Sequence, residues 1–360
     1  MGENKRIGIL TSGGDCAGLN AAIRAVVYHA TGHYGYQVFG IHQATLGLLK
    51  RPPKAIELDR KAVRGLLVAG GTMLGTTNKG DPFAYPMPDG SICDRSDEMI
   101  EGYRQLNLDA LLVIGGDGSL AILRKLAQQG QFNIIGIPKT IDNDIGLTEH
   151  SIGFETAVDI ATEALDRLHF TAASHERVLI LEVMGRDAGH IAISAGISGG
   201  ADVILIPEIA YDLDKVCEHI KRRRDSGKNY SLVIVSEAVK TIEGSSVTNV
   251  NVLGQTRYGG VGQYIAEGIT ARMEAETRVT VLGHTQRGGI PSPTDRLVAS
   301  AFGVAAVDLV AEEKYDRMVT WQNRQVTSVP IEDAIRDYKV VDLQGTLVKT
   351  ARGLGICLGD

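Results

Sequence analysis

The sequence predicts an α/β protein, with parallel sheets and helices on both of their faces. Three features carry that expectation. Short apolar runs alternate along the chain with longer stretches of helix-forming residues, the rhythm of strand–helix–strand units. Glycine-rich or charged turns close one run after another, which puts them at the carboxyl ends of strands, where such folds bind ligands. Finally, 360 residues with 44% hydrophobic and 22% charged content are enough for two packed domains of ordinary size.

Ile7–Leu10 reads as the first strand. It breaks at Thr11-Ser12-Gly13-Gly14-Asp15 and gives way near Gly18 to a helix whose Ala21, Ala22, Ala25 and Val26 share one face. Gln37–His42 is the next strand. The loop from Gly70 to Lys79 carries three threonines, Asn78 and Lys79, groups that suit a polyphosphate and equally a solvated surface. Residues 80–96, rich in proline, aspartate and glycine, read as an excursion without a core.

The stretch that organises the rest is Leu111-Leu112-Val113-Ile114-Gly115-Gly116-Asp117-Gly118-Ser119, a buried strand ending in a tight turn before a helix from Leu120 to Ala127. Glycines let a ligand approach the backbone, and a helix N-terminus offers free N–H groups and positive potential to phosphate. Asp117 is placed to hold magnesium against that phosphate; a plain corner with an aspartate helix cap fits the same residues. Asn133–Ile137 is another buried strand, closed by Pro138-Lys139-Thr140-Ile141-Asp142-Asn143-Asp144. On extended backbone Asp142 and Asp144 point to one side, making a base-and-metal cluster or a solvated turn.

A helix is expected from Phe154 to His169, then strands at Val178–Val183, Asp202–Ile206 and Leu232–Glu237. Lys221–Arg224 reads as a solvated basic face at a helix end, and Gly259–Gly262 as a turn or hinge. Strand Val279–Leu282 leads to His284-Thr285-Gln286-Arg287-Gly288-Gly289, and a helix runs from about Thr294 to Glu313. The remaining residues mix a short helix with a strand-like Leu343–Val348.

A net charge of −6 argues against nucleic-acid or anionic-membrane surfaces as partners. No apolar run approaches the roughly 18 residues of a membrane span. Cys16, Cys93, Cys217 and Cys357 lack metal-ligand spacing and suit a reducing cytoplasm.

Taken in order, Thr11-Ser12-Gly13-Gly14-Asp15, the GGDGS at 115–119, Thr140-Ile141-Asp142-Asn143-Asp144, Met184-Gly185-Arg186 and Gly283-His284-Thr285-Gln286-Arg287-Gly288-Gly289 resemble the 6-phosphofructokinases. The resemblance runs from about Ile7 to Arg296 and is specific as a set, although GGDG alone also occurs in NAD kinases and lipid kinases. It implies two Rossmann-like, three-layer α/β/α domains with the active site in the cleft between them. One would comprise residues 1–153 plus about 286–336 and bind the phosphoryl donor. The other, about 154–285 plus 337–360, would bind the sugar phosphate. The implied reaction is glycolytic transfer of the γ-phosphoryl of ATP to the 1-hydroxyl of fructose 6-phosphate, with magnesium. A cytoplasmic homotetramer, or a dimer, is implied as well.

By the same resemblance Asp142 is the general base, Asp117 the magnesium ligand and Thr140 a hydrogen-bond donor to the moving phosphoryl. Arg186 and the Gly14 backbone stabilise its charge. Met184, Gly185, Arg186, Glu237, His284 and Arg287 hold the sugar, while Arg177 and Arg278 reach a neighbouring subunit's sugar phosphate. Gly14, Asn78, Lys79, Gly116, Asp117, Gly118 and Ser119 serve the nucleotide. Two residues bear on the donor and disagree. Gly118 leaves room for the α-phosphate of ATP, whereas Lys139 is the residue of pyrophosphate-using members. The chain also departs from the arginine-lined regulatory nucleotide site of bacterial members: Arg24 is kept, but Tyr28, Ala69 and His169 replace expected arginines, and Lys228 retains one basic contact. ATP is the expected donor and pyrophosphate the alternative. A non-catalytic sugar-phosphate-binding subunit is the reading from a different class.

Overall fold

The computed structural model describes residues 4–78, 81–250 and 256–360. The strands, in chain order, are β1 (Arg6–Thr11), β2 (Gln37–Ile41), β3 (Ala55–Glu57), β4 (Tyr85–Pro86), β5 (Ile92–Cys93), β6 (Ala110–Gly115), β7 (Ile134–Pro138), β8 (Val178–Val183), β9 (Val203–Leu205), β10 (Ser231–Ser236), β11 (Thr248–Val250), β12 (Thr256–Tyr258), β13 (Thr277–Val281), β14 (Arg317–Gln322) and β15 (Gln325–Pro330). The helices are α1 (Leu19–His29), α2 (Thr45–Leu49), α3 (Ser96–Gln105), α4 (Asp117–Gly130), α5 (Phe154–His175), α6 (His190–Ser198), α7 (Leu213–Asp225), α8 (Val261–Arg272), α9 (Pro293–Ala311), α10 (Ile331–Arg336) and α11 (Thr346–Gly353).

Two compact units share the chain. Unit 1 is Met1–Thr140, Ile145–Thr156 and Arg287–Tyr338; unit 2 is Ile141–Asp144, Ala157–Gln286 and Lys339–Asp360.

The sheet of unit 1 has the order β15-β14-β7-β6-β1-β2-β3. Its five inner strands are parallel, while β3 and β15 run antiparallel at the two edges. Every residue of β6 and β7 is buried, as strands covered on both faces require. On one face Leu48 of α2, Met99 of α3, Leu123 of α4 and Ala334 of α10 join Leu10, Leu111 and Val113 in one apolar core. Helix α9 lies against β7, β14 and α1. Gly303 lets α9 and α1 approach closely, because a Cβ there would stand 2.8 Å from the Ala22 carbonyl oxygen.

Unit 2 holds a four-stranded parallel sheet, β13-β8-β10-β9. Leu213, Val216 and Ile220 of α7 and Val261, Ile265 and Ile269 of α8 pack on Val178, Ile180, Val233 and Val235. Helix α6 lies against β9 and β10.

Some local expectations give way. Helix α5 continues six residues past His169, to His175. Leu343–Val348 is not a strand: Gly345 caps α11, which begins at Thr346. Asp142 and Asp144 do not lie on extended backbone, because Asn143 between them is left-handed at φ 52°. The basic run is not purely solvated either, since Arg223 pairs at 2.9 Å with Asp202, whose side chain is 2% exposed. An ionised carboxylate that far from water needs such a partner. No helix among the described residues is long and apolar enough to cross a membrane.

Candidate active site

In unit 1 the polar turns expected at strand ends occupy one edge of the sheet. Since β1, β6 and β7 are adjacent and parallel, their carboxyl ends deliver Ser12–Asp15, Gly116–Asp117 and Lys139–Thr140 side by side. The ladder continues beyond the strands: Ser12 N–H donates to the Ile114 carbonyl at 2.9 Å, and Lys139 N–H to that of Gly115 at 3.0 Å. The glycine-rich loop joins this edge through Gly13 N–H to the Thr77 carbonyl (2.9 Å) and the Thr76 hydroxyl to the Gly13 carbonyl (2.6 Å).

Gly13 has φ 85°, and a Cβ on it would stand 3.1 Å from Lys139 Nζ and 3.2 Å from Ser119 Oγ. A Cβ on Gly14 would lie 2.7 Å from Arg287 Nη1, which itself donates to the Asp15 carbonyl at 3.2 Å. Side chains at 13 and 14 would therefore meet the cationic groups around this turn. Asp117 opens α4, Gly116 is its N-cap, and a Cβ on Gly118 would meet nothing within 4 Å. Backbone N–H groups, a lysine, an arginine and a helix-start carboxylate on one edge suit a phosphate chain carrying a hard cation. Thr140 is 9% exposed, and Ser151 Oγ donates to its carbonyl at 2.7 Å.

The carboxyl edge of the unit 2 sheet carries the second group. Arg186 follows β8 in a left-handed conformation, φ 52°, and its Nη1 stands 3.6 Å from Asp144 Oδ2. Two non-glycine residues in that region, Asn143 and Arg186, flank the Asp142–Asp144 carboxylates. Glu237 follows β10 and accepts hydrogen bonds from the backbone N–H of Gly185 (3.3 Å) and Arg186 (3.1 Å). Burial pushes its carboxyl up to about 7, with the charge of Asp142 adding to the rise against those two hydrogen bonds. Met184 N–H donates to Gln286 Oε1 at 2.8 Å. Asp142 is 6% and Asp144 2% exposed.

Residues 6–310 match the family model described as Phosphofructokinase. The chain belongs to the phosphofructokinase family. The protein of Nostoc sp. PCC 7120 named ATP-dependent 6-phosphofructokinase 1 is 71% identical over 360 residues, covering 100% of both chains. Its namesake in Synechocystis sp. PCC 6803 is 68% identical with the same coverage. Among solved structures, the phosphofructokinase of Pichia pastoris in the T-state superimposes with a TM-score of 0.78 at 34% identity. That match covers 92% of this chain and spans 38% of the yeast chain.

Within this chain two expected site residues stand apart from the rest. Arg177 immediately precedes β8 and Arg278 is the second residue of β13, so both sit at the amino end of the unit 2 sheet. Met184, Arg186 and Glu237 lie at its carboxyl end. The six residues of β8 lie between Arg177 and Met184, so seven steps of extended backbone separate the two, about 23 Å at ~3.3 Å per step. One small sugar phosphate cannot touch both ends of one sheet. His284 and Asn78 are exposed, and Lys79 lies outside the described residues.

Three supporting residues were not singled out from the sequence. Gln286 fixes the Met184 backbone, Glu182 holds the N–H groups of Gly260 (3.0 Å) and Gly262 (2.7 Å) at the start of α8, and Glu276 pairs with both arginines. A buried glutamate in the middle of an apolar strand was the available signal for Glu182. The other two depend on contacts distant in sequence.

Proposed function

We propose that the chain transfers the γ-phosphoryl of ATP to the 1-hydroxyl of fructose 6-phosphate, giving fructose 1,6-bisphosphate. What carries this reading is family membership together with full-length relatives, 71% and 68% identical, that are named for that activity. The open space at Gly118 supports ATP over pyrophosphate. A turnover assay on fructose 6-phosphate with ATP, ADP and pyrophosphate as separate donors tests it. ATP is expected to give the highest kcat/KM, and binding of the sugar phosphate without turnover on any donor would overturn the reading.

We assign donor binding to unit 1 and sugar binding to unit 2. The N–H groups around Gly14, Gly116 and Ser119 cradle the phosphates, with Asn78 and Lys79 adding polar contacts to the nucleotide. Asp142 takes the proton from the 1-hydroxyl, Thr140 hydrogen-bonds the moving phosphoryl, and Arg186 and Gly14 N–H neutralise its charge. Phosphoryl transfer needs chiefly positioning and charge neutralisation, so a base, a cation and aimed N–H groups suffice. Asp117 would hold magnesium, a hard ion that takes one or two carboxylates and completes its shell with water and phosphate oxygens. Its contribution is to neutralise charge on the donor phosphates. Among the described residues no larger group of His, Cys, Asp or Glu gathers as a metal cage.

Met184, Gly185, Glu237, His284 and Arg287 hold the sugar. Arg177 and Arg278 serve the sugar phosphate of a neighbouring subunit in a homotetramer or dimer, a role supported by their place at the opposite end of the sheet from Met184. The cytoplasm is the expected location, in keeping with four free cysteines.

Glu237 makes the sugar site sensitive to pH. With its carboxyl near 7 it is largely neutral at pH 6 and ionised at pH 8. The ionised form accepts hydrogen bonds from sugar hydroxyls more strongly, by about 1 kcal/mol. The KM for fructose 6-phosphate is therefore expected to fall about fivefold from pH 6 to pH 8. In Glu237→Gln only the titration of the substrate's own phosphate should remain. Identical KM profiles for the two proteins would remove Glu237 from the sugar site.

A further inference from the structure

The arginine pair at the amino end of the unit 2 sheet is already occupied by an anion, and that anion belongs to the chain. Strand β13 runs parallel to β8 with Thr277 opposite Val178, and Val178 N–H donates to the Glu276 carbonyl at 3.0 Å. That register sets Glu276 across from Arg177. Its Oε1 receives Arg177 Nη2 at 2.8 Å and Arg278 Nη2 at 2.5 Å, so two guanidinium groups converge on one oxygen. The Arg177 hydrogen bond holds the Glu276 carboxyl below its ordinary value. Neighbouring groups are engaged elsewhere: Glu176 accepts from Asn229 at 2.8 Å and Arg224 donates to the Glu274 carbonyl at 3.0 Å. In the single chain the side chains of Glu276 and Arg278 are 45% and 60% exposed, so the pair lies open on the face assigned to a neighbouring subunit's sugar phosphate.

We propose that Glu276 is a positioning residue that stands in for the sugar phosphate, holding Arg177 and Arg278 together until a phosphomonoester dianion displaces it. The inference rests on the assignment of these arginines to the sugar phosphate. Its physical basis is an exchange of anions. Two planar guanidinium forks bind phosphate through several parallel hydrogen bonds, whereas a carboxylate engaging them through one shared oxygen satisfies them only in part. A dianion with three terminal oxygens gains enough to replace Glu276. A monoanionic carboxylate ligand offers the arginines little that Glu276 does not, so the displacement selects for phosphate. The cost of breaking the internal pair appears in KM, because it is met on binding and not in the chemical step.

The test compares three variants of the full-length protein in its native assembly: Glu276→Gln, Arg177→Ala and Arg278→Ala. Glutamine keeps the shape of a partly exposed side chain and removes its charge. In Glu276→Gln both the KM for fructose 6-phosphate and the inhibition constant of inorganic phosphate against that substrate are expected to fall about two- to fivefold, the range of an exposed ion pair. The change should sit in KM and not in kcat. In each arginine variant the KM should rise about tenfold or more. If the arginine variants raise KM but Glu276→Gln leaves both constants unchanged or higher, Glu276 does not compete with phosphate and the proposal falls. If the arginine variants leave KM unchanged, the assignment of the arginines fails and the proposal with it.

Discussion

Asp142→Asn is expected to lower kcat by about 10²–10⁴-fold while changing the KM for fructose 6-phosphate far less. Asparagine keeps the size of the side chain and its hydrogen-bonding reach but cannot take a proton, so the loss belongs to the chemical step. The site makes the replacement informative. Asp142 is 6% exposed, and asparagine is close to aspartate in size and shape, so the exchange adds no bulk to the buried position. Because the charge of Asp142 contributes to raising the Glu237 carboxyl, the variant carries a second readout. Removing that like charge should shift the pH dependence of the sugar KM toward lower pH. A kcat near wild type would end the assignment of Asp142 as base, and an unshifted KM profile would contradict the coupling of the two carboxyl groups.

Gly118→Asp is expected to reduce kcat/KM for ATP by about 100-fold, in line with the several kcal/mol that like-charge juxtaposition costs. The wild-type protein should prefer ATP to pyrophosphate. Gly118 is the second residue of α4, exposed, with open space where a Cβ would stand. An aspartate there fits sterically and suits the first turn of a helix electrostatically, so a loss of ATP use would not reflect misfolding. It would place negative charge where the α-phosphate of a nucleotide has to pass, while pyrophosphate has no group at that point. Lys139, with its Nζ close to the Gly13 turn, adds a cation that either donor can use. If pyrophosphate proves the better donor of the unmodified protein, Lys139 outweighs Gly118 and the choice of ATP is wrong.

The parts of the fold that were legible were those whose cause is local. β6 and α4 follow from an unbroken apolar run, two glycines and a helix-forming stretch, and β7 stops at Pro138 as a strand ending in proline should. The β14–β15 hairpin was not legible because Asn323 and Arg324 make its turn, both with positive φ, and neither is the glycine that usually marks such a turn. Leu343–Val348 offers two leucines and a valine to a strand, yet Leu343 and Leu347 stand four apart, a helical spacing, and the chain enters α11 at Thr346 with Gly345 at its N-cap position. In the candidate site the glycine turns and carboxylates could be listed from the sequence, and their gathering on sheet edges follows from parallel strand order. The burial of Glu237, the grip of Gln286 on Met184 and the hold of Glu276 on two arginines depend on partners far away in the chain, which one sequence does not reveal.

The interleaving of the two units bears on how the protein is made. β7 ends at Pro138, yet the strand that pairs with its outer edge, β14, begins at Arg317. Between them the ribosome has to synthesise about 180 residues, which takes roughly 10–35 s at ~5–20 residues per second. For that interval the emerging sheet β7-β6-β1-β2 has an open, wholly apolar edge, the kind that recruits strands from other chains. Helix α9, which lies against β7 and α1, arrives equally late. Until Met318 has emerged and can pair with Gly136, β7 has no strand of its own chain for that edge.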